Sequence, residues 1–456
     1  MRKNTHPVYS GAFLLTITGL FCRFIGFYYK IFLSRAIGAK ELGLYQLSMP
    51  LLSIGIAFAN AGIHTAISRY VAGAAISSKA TGKRYLAAGL LLSLSLGALF
   101  CIPAYALADV IAARFFLEPS ITQLLRILIF CIPLECIHGC INGYYYGLQK
   151  AAIPSGGQCI EQLSRVGSVM GIYYLLQQMG IPFTKNHAML GLLIGEAVAT
   201  LYYLTILSLD REDSSAGRPT TLLSYRTAIR NIGSMAYPVT GTRLSLTLLN
   251  SLENILIPAK LAAFGMTNTQ ALSIYGIYSG MAIPMIFFPT VLANSIAVML
   301  LPSIARAKEE NRISYITHTI ITGFFLCMLL GFACTFFFFF FGGFIGQRIF
   351  NNEVAGIYIR TLSWLCPFLF LGITMNSILN GLGRTKDTFA ISITGALIRL
   401  SFVIVGIQRF GFRAFLLGAL LSQIISSFLA YIRLMSLCPA SVAKEQANRW
   451  RKKAGL

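Results

Sequence analysis

Eight arginines stand inside long apolar stretches of the sequence, where a charged side chain is costly. They are Arg23, Arg69, Arg126, Arg165, Arg243, Arg360, Arg399 and Arg433. An arginine at the centre of a membrane helix costs roughly 2.5–3.5 kcal/mol on the insertion scale. The same stretches hold only four acids, namely Glu135, Glu161, Glu196 and Glu253, so ion pairs between them cannot neutralise the set. This surplus of positive charge predicts a site for an anionic ligand inside a membrane.

The stretch 229–258 carries a polar stripe, because its polar residues recur at intervals of three, four and seven along one helix face. They are Arg243, Thr247, Asn250, Glu253 and Asn254. Such a stripe lines either a cavity or a tight helix interface, and its mixture of a cation, an acid and two amides favours a cavity. Glu253, close to the cation, is a candidate proton or sodium switch.

Three further stretches offer polar pairs. Asn60 and His64 are four residues apart; His64 is either a group that titrates near neutral pH or a hydrogen-bonded packing histidine. Glu161 and Arg165 are also four apart with the acid first, the favourable orientation, and predict a structural ion pair. Glu196 is a lone buried acid, either protonated or paired with one of the arginines, and is a second candidate for ion coupling.

Glu135, His138 and Asn142 follow one another at intervals of three and four in the stretch 121–146. This spacing places them on one helix face. They are a candidate partner surface for the polar stretch 155–178.

Composition indicates an all-α polytopic membrane protein. The chain has 456 residues, of which 56% are hydrophobic and 11% charged, and its mean hydropathy is +0.70, outside the range of soluble proteins. Twelve apolar stretches are long enough to cross a bilayer. The predicted spans are 8–30, 44–68, 85–108, 121–146, 155–178, 187–209, 229–258, 271–300, 314–341, 354–381, 388–408 and 412–436.

The net charge of +22 is distributed unevenly between the two sides of the membrane. If the N-terminus is inside, the inner loops and tails hold 20 of the 37 Lys and Arg residues and the outer loops hold 9; the other eight are the arginines described above. This bias is the positive-inside pattern. It predicts a multi-pass membrane protein with both termini cytoplasmic. Nucleic acid is not expected as a partner, and the basic C-terminal tail is expected to bind anionic lipid headgroups.

A polar linker divides the chain into equal halves. We predict a six-helix lobe over 1–209, a cytoplasmic linker over 210–228, a second six-helix lobe over 229–436 and a basic cytoplasmic tail over 437–456. The halves match at a constant offset of 234 residues, which indicates internal duplication, as in transporters whose halves rock about a central site. The matching pairs are Pro50/Pro284, Asn60/Asn294, Arg114/Arg348, Arg126/Arg360, Pro133/Pro367, Asn142/Asn376, Gly147/Gly381, Leu148/Leu382, Lys150/Arg384 and Arg165/Arg399.

Enzyme signatures are missing from the sequence. It contains no Walker-type phosphate loop, no HExxH, no GxSxG and no paired-cysteine metal spacing. We therefore predict that the chain is not an enzyme, and that it has no catalytic residues, no metal site and no cofactor.

Several motifs resemble those of polysaccharide flippases in the multidrug/oligosaccharidyl-lipid/polysaccharide (MOP) exporter superfamily, in the branch of stage V sporulation protein B. They are Cys22-Arg-Phe-Ile-Gly-Phe27, Lys30-Ile-Phe-Leu-Ser-Arg35, Leu252-Glu-Asn-Ile-Leu-Ile-Pro258 and Leu300-Leu-Pro-Ser-Ile-Ala-Arg306. The resemblance implies a MATE-like fold, with two six-helix lobes around a central cavity. It also implies movement of an undecaprenyl-diphosphate-linked saccharide, a peptidoglycan or polysaccharide precursor, from the inner to the outer leaflet. In the sporulation branch this saccharide serves the spore cortex.

The resemblance also assigns residues. Arg23 falls on an essential arginine of the lipid II flippases, Lys30 lies close to a second one, and Arg243 is on a helix that carries a further cavity cation. Another cavity arginine of those proteins has no counterpart here, and Asn60 and His64 stand nearby instead. The predicted substrate-binding cavity consists of Arg23, Lys30, Arg243, Asn250, Glu253, Asn60 and His64.

A cationic cavity open to the bilayer would lower the desolvation cost of a diphosphate head, for which the arginine fork is well suited. One alternative is a cation-coupled multidrug exporter of the same fold, in which buried acids bind cationic substrates. A second is a non-transporting scaffold for cell-wall synthesis. The expected partners are a lipid-linked anionic saccharide and membrane lipids, with cell-wall synthesis enzymes as further candidates, and a monomer is expected.

Overall fold

The computed structural model describes residues 7–74, 79–210 and 224–437, and all regular secondary structure in these ranges is helical. The first helices are α1 Pro7–Ala59, α2 Ala61–Ala74, α3 Lys79–Ala106, α4 Ala108–Val110, α5 Thr122–Gly147, α6 Ala152–Gln178, α7 Lys185–Leu209 and α8 Tyr225–Ala263. They are followed by α9 Asn268–Gly276, α10 Ile283–Phe287, α11 Thr290–Glu309, α12 Ile313–Arg348, α13 Glu353–Leu362, α14 Cys366–Gly381, α15 Thr385–Ser401, α16 Ile407–Phe410 and α17 Phe412–Ser436. Short π-helical segments occur at Ile111–Phe115, Ile277–Ala282 and Phe402–Gly406, and 3-10 turns at Pro119–Ile121 and Ser363–Leu365.

Within these ranges, nine helical segments are both long and apolar enough to cross a membrane. The segment Leu14–Ala74 has 61 residues, enough for two crossings at about 20 residues each. Helices α6 and α8 are also long enough but carry more polar residues than the nine. With these additions the helices correspond to the twelve predicted spans. The prediction of an all-α polytopic membrane protein is therefore confirmed.

The first long helical segment is interrupted at two points. Gly38 has φ +77° and ψ 173°, a backbone conformation that side-chain-bearing residues avoid, so α1 bends there. The helix stops at Asn60, and α2 begins at the next residue. The predicted span 44–68 is thus built from the end of α1 and the start of α2, and Asn60 stands at the break.

Contacts within the chain divide it into two units, Met1–Ile255 and Leu256–Leu456. The division falls inside α8, so most of this helix packs with the first unit although it begins the second half of the duplicated sequence. The predicted lobe boundaries at 209 and 229 remain a prediction. Most of the predicted linker and of the basic tail, namely residues 211–223 and 438–456, lies outside the described residues.

The same hydrogen bonds recur in both units. Cys101 donates to the carbonyl of Ile129 in the first unit, and Thr335 donates to the carbonyl of Ser363 in the second. Each pair of positions differs by the 234-residue offset of the sequence repeat, so the offset marks equivalent places in the two helix bundles.

Equivalent positions in the last helix of each half, α7 and α17, differ by another number of residues than 234. Thr200 of α7 donates to the carbonyl of Leu134, 66 residues away, and Ser427 of α17 donates to the carbonyl of Phe368, 59 residues away. Because Leu134 and Phe368 obey the 234-residue offset, the connection that precedes α17 is shorter by seven residues. Positions on α7 and α17 therefore correspond at an offset of 227.

Candidate functional site

A cavity of about 420 Å³ lies in the first unit, between helices α1, α2, α5, α6, α7 and α8. Its wall contains charged groups, amides and two phenols together with apolar side chains. The lining residues are Ile56, Asn60, Ala61, His64, Glu135, His138, Gly139, Asn142, Tyr146, Pro154, Gln158, Glu161, Tyr203 and Arg243.

Asn60 ties the break between α1 and α2 to helix α5. Its side-chain amide nitrogen donates to the carbonyl of Glu135 over 3.2 Å, and the thiol of Cys140 lies 3.7 Å from its amide oxygen. Gly139 makes this approach possible, because a Cβ at that position would collide with the amide nitrogen of Asn60. The buried amide thus satisfies part of the backbone next to the cavity and fixes one corner of its wall.

His64 lies one helical turn further along α2 and also lines the cavity. Its ring meets the ring of Tyr146 edge-on, with centroids 5.9 Å apart. Gly143 allows α5 to approach the backbone here, because a Cβ on Gly143 would lie 2.6 Å from the carbonyl oxygen of His64. The imidazole is therefore held by packing and still reaches the cavity.

Helix α5 places an imidazole between two carboxylates. Nε2 of His138 lies 3.1 Å from Oε2 of Glu135 and 2.9 Å from Oε2 of Glu196. The ring of Tyr203 stacks on His138 with an interplanar angle of 3°, and the Tyr203 hydroxyl donates to the carbonyl of Pro154. His138 and Glu196 are only 3% and 5% exposed, so these contacts are shielded from solvent.

Arg165 of α6 connects two of the carboxylates. Its Nη2 donates to Oε1 of Glu161 in the cavity wall and lies 3.0 Å from Oε1 of Glu196 behind it. Gly195 permits this, since a Cβ there would lie 2.8 Å from Cβ of Arg165. The helices α6 and α7 are therefore joined by a buried charge network.

The ligand atoms of Glu135, His138 and Glu196 lie within 4.8 Å of one another, a spacing that a metal ion could also bridge. One imidazole nitrogen already faces both carboxylates at hydrogen-bond distance, and the Arg165 guanidinium holds the other oxygen of Glu196. A metal ion would have to displace the proton that the imidazole nitrogen shares with the carboxylates, and compete with the Arg165 guanidinium for Glu196. We therefore interpret the group as charge-assisted hydrogen bonds rather than a metal centre.

Arg243 lines the cavity from α8, and its side chain is exposed. Gln158 faces the same space, and the amide oxygen of Asn142 is buried without a hydrogen-bond partner among the described atoms. The wall can thus donate hydrogen bonds from a guanidinium and from amides. This arrangement can recognise a ligand that has both anionic and hydroxyl groups.

The structure places part of the predicted substrate site together. Asn60, His64 and Arg243 line the cavity, and so does Glu161, which was predicted only as half of an ion pair with Arg165. Glu196 lies directly behind the wall. Among the described residues, the cavity lining does not include Arg23 and Asn250, which are exposed, Lys30, which is partly buried, or Glu253, which is buried.

One sequence expectation about charge needs correction. Acids just outside the predicted spans pair with two of the eight arginines: Nη2 of Arg126 lies 2.9 Å from Asp109, and Nε of Arg433 lies 2.9 Å from Asp387. The cavity wall in the first unit holds the two glutamates Glu135 and Glu161 together with Arg243, and the cationic central cavity remains a prediction. The arginines were counted over the whole chain, and the fold distributes them to separate places.

Sequence reasoning missed several residues of this site. Glu135, His138 and Asn142 were recognised as one helix face, but their spacing did not show that the face borders a cavity. Gln158 precedes Glu161 by three residues, which was a usable signal. The sequence around Tyr203 contains no such signal, because a tyrosine in an apolar stretch is most often a core residue.

The family model described as "Polysaccharide biosynthesis protein" matches residues 8–308, and the model described as "MatE" matches residues 247–405. Together these matches cover most of the membrane-spanning part of the chain.

Two curated proteins of Bacillus subtilis (strain 168) are similar over most of their length. Stage V sporulation protein B is 22% identical over 87% of this chain and 77% of its own, and the lipid II flippase MurJ is 24% identical over 86% and 75%. Among solved structures, the inward-facing conformation of a multidrug resistance MATE family transporter of the MOP superfamily matches with a TM-score of 0.69. That match has 15% identity and covers 94% of each chain, which identifies the fold.

Proposed function

Because the chain belongs to the polysaccharide biosynthesis protein family of the MOP superfamily, we propose that it flips an undecaprenyl-diphosphate-linked saccharide from the inner to the outer leaflet by alternating access. The chain is a multi-pass membrane transporter or flippase and not an enzyme. The saccharide, the leaflet direction and the mechanism are the proposed part. The relatives include a protein named as a lipid II flippase and one named for sporulation, and both names support the proposal.

The observation that carries the proposal is the polar cavity of the first unit, where Arg243 stands among amides. Asn60, Asn142 and Gln158 share this wall. A guanidinium binds phosphate oxygens through two parallel hydrogen bonds, and amides bind sugar hydroxyl groups. A lipid-linked saccharide presents both kinds of group.

The physical problem of flipping lies in the head of the lipid. The polyprenyl tail can remain in the hydrocarbon phase, whereas a bare anionic head would have to lose its water. A cavity that replaces this water with fixed hydrogen-bond donors lowers the barrier. An inside-negative potential drives an anion outward by about 2.3 kcal/mol per charge per 100 mV.

We propose the bacterial plasma membrane as the location, with both termini cytoplasmic, as the charge bias predicts. The partners in this proposal are the lipid-linked saccharide and membrane lipids, with cell-wall synthesis enzymes as further candidates. A role in making the spore cortex is supported by the similarity to stage V sporulation protein B. Attachment of a fluorescent protein to either terminus, with fluorescence expected for a cytoplasmic location, tests the orientation.

The proposal is tested by reconstituting the full-length protein in liposomes with fluorescent lipid II or a teichoic acid precursor. Head groups that reach the outer surface are scored by enzymatic modification. We expect at least one of these lipids to be moved, and Arg243→Ala to slow movement by about tenfold or more, because a hydrogen bond to a charged group contributes about 1.5–3 kcal/mol. Arg126→Ala, an arginine that lies outside the cavity wall and pairs with Asp109, is the matched control. Arg23→Ala tests the arginine that the family resemblance assigns to the substrate.

The acid cluster of the first unit favours one rival function, a cation-coupled multidrug exporter. Glu135, Glu161 and Glu196 are the type of group that binds cationic drugs or coupling ions. Against this, Arg165 and His138 already lie against these carboxylates. Transport of an ethidium-like cation but of neither lipid would favour the exporter. Full complementation of a null strain by a variant that moves no lipid would favour the other alternative, a non-transporting scaffold for cell-wall synthesis.

A further inference from the structure

The sign of the charge on the cavity wall depends on protonation. The wall contains the cation Arg243, the acids Glu135 and Glu161, and the histidines His64 and His138. With both histidines neutral, the acids outnumber the cations by one. With both protonated, the cations outnumber the acids by one. An anionic head therefore meets a repelling wall in one protonation state and an attracting wall in the other.

The net charge of the network that joins the wall residues to Glu196 and Arg165 also depends on protonation. Glu135, His138, Glu196, Arg165 and Glu161 form one continuous chain of contacts. It contains three carboxyl groups and at most two cations, one of which is a histidine. With all three carboxyl groups ionised, the network therefore keeps a net negative charge. Because a buried charge that lacks a counter-ion is strongly unfavourable, a further proton would stabilise the network.

The neighbouring helices supply few other groups that titrate near neutral pH. Several other titratable or charged groups of the described residues face the network or the wall. They are Cys22, Tyr29 and Tyr45 of α1, His64 of α2, Cys131 and Tyr146 of α5, Tyr203 of α7 and Arg243 of α8. Phenols and thiols ordinarily keep their protons at neutral pH, and arginine keeps its charge. Apart from the carboxyl groups themselves, His64 and His138 are thus the two groups on which a proton is expected to be exchanged.

We propose that Glu135, His138 and Glu196 form a proton-binding site linked to the cavity, so that an anionic diphosphate head and at least one proton bind together. This inference rests on the proposed function, because it takes the ligand of the cavity to be an anion. Two carboxylates held about 3 Å from one imidazole nitrogen repel each other when both are charged and the imidazole is neutral. A proton bound there stabilises the network and removes the net negative charge of the adjoining wall, so that the wall no longer repels the anion.

The linkage is reciprocal, because a proton that strengthens anion binding must itself be bound more strongly when the anion is present. The head and the proton then cross in the same direction. The net charge that crosses is smaller than that of the head alone, so flipping depends less on membrane potential than it would for the bare anion. A proton that competed with the anion would give the opposite behaviour, which is exchange of the two across the membrane.

The test uses purified full-length protein and a soluble short-chain diphosphate diester, geranyl-diphosphate-linked N-acetylglucosamine, whose phosphate oxygens do not titrate near neutral pH. Titration calorimetry in two buffers of different ionisation enthalpy counts the protons bound with each probe molecule. We expect uptake approaching one proton, and an affinity that rises by up to about tenfold per pH unit as the pH is lowered through the range in which the site binds its proton. His138→Gln and Glu196→Gln are both expected to abolish the uptake and flatten the pH dependence.

The matched control is Glu41→Gln, which removes an acid paired with Lys185 over 2.8 Å, outside the cavity wall. It should keep the uptake and affinity of the wild type. Binding without uptake, or with proton release, would overturn the linkage alone and leave the flippase proposal standing. Loss of uptake in His64→Gln together with its retention in His138→Gln would also overturn it, by placing the site at His64. No binding at any pH, together with no lipid movement, would overturn both proposals.

Discussion

The two units use equivalent arginines in different surroundings. Arg165 of the first unit lies against Glu161 and Glu196. At the offsets of the repeat, its counterpart in the second unit is Arg399, and the two acids correspond to Gly395 and Gln423. There Nη1 of Arg399 lies 3.3 Å from the hydroxyl of Ser422, which itself donates to the carbonyl of Gly395.

The histidine and its second acid are also confined to the first unit. His138 corresponds to Gly372 and Glu135 to Leu369. Gln423 occupies the vacated space, because a Cβ on Gly372 would lie 3.0 Å from its amide nitrogen. This amide donates to the carbonyl of Phe368 over 3.1 Å. Neutral hydrogen bonds thus fill the place where the first unit has a charge network.

The comparison of the two units distinguishes the role of the arginine from that of the acids and the histidine around it. The arginine occupies the same position in both units, whereas the acids and the histidine are present in one. The duplicated fold therefore keeps this arginine where the positions equivalent to Glu161 and Glu196 carry no carboxylate. The acids of the first unit are then best explained by an additional task, and a proton-binding site next to the ligand cavity is such a task.

The largest difference in stability between the two units is expected when the equivalent arginines are each replaced by alanine. Arg165→Ala leaves Glu161 and Glu196 buried without their guanidinium, and breaking a buried pair in this way costs about 3–5 kcal/mol. Arg399→Ala removes an arginine whose equivalent positions carry no acid, so we expect a loss of about 1–2 kcal/mol. Thermal unfolding in detergent should show a clearly greater drop in Tm for Arg165→Ala. Adding Glu161→Gln and Glu196→Gln should restore much of the loss, and equal losses for the two arginines would contradict this account.

Exchanging the acid and the amide should have unequal effects. Gln423→Glu replaces a donor with a carboxylate that faces the carbonyl of Phe368, and an acceptor left against an acceptor costs about 1–3 kcal/mol. Glu196→Gln leaves Arg165 with Glu161 and His138 with Glu135, so its loss of stability should be smaller than that of Gln423→Glu. The measurement is the same unfolding assay, and a more damaging Glu196→Gln would show that the network is chiefly structural.

The close approach at Asn60 offers a third comparison. Gly139 has no side chain, whereas the equivalent position in the second unit is Ile373. Gly139→Ala should push the Asn60 amide away from the Glu135 carbonyl, with a loss of about 1 kcal/mol and weaker binding of the diphosphate probe. Gly241→Ala on α8 is the control, because a Cβ there meets nothing within 4 Å. Undiminished probe binding by Gly139→Ala would argue that Asn60 does not shape the site.

The sequence was sufficient for the helices but not for their arrangement around the site. Apolar length predicted the spans, because a membrane helix must satisfy its backbone internally, and helix periodicity placed Glu135 and His138 on one face. The sequence could not show that Glu196, 58 residues after His138, contacts the imidazole of His138 together with Glu135. Nor could it show that α8 packs with the first unit, where a Cβ on Gly62 would collide with the carbonyl of Ala236. Such contacts depend on which helices become neighbours, and hydropathy does not encode this.

The smallest effect is expected for another acid that is present in one unit only. Arg126 pairs with Asp109, but their side chains are 44% and 69% exposed, and such exposed pairs contribute about 0.2–1 kcal/mol. A double-mutant cycle with Arg126→Ala and Asp109→Asn should give a coupling energy in this range, and the coupling should weaken as salt is added. In the second unit the acid's position is Gly343, and a Cβ there would collide with the Arg360 guanidinium.

An acid at Gly343 would thus have to displace the arginine it was meant to bind, so Gly343→Asp should not stabilise the second unit. A coupling energy of several kcal/mol at Arg126, or stabilisation by Gly343→Asp, would contradict this distinction between exposed and buried acids. The exposed acid could be lost with little consequence for the fold. At the place of the buried acids, the second unit has Gln423 and neighbouring serine hydroxyl groups, which satisfy one another and the backbone there.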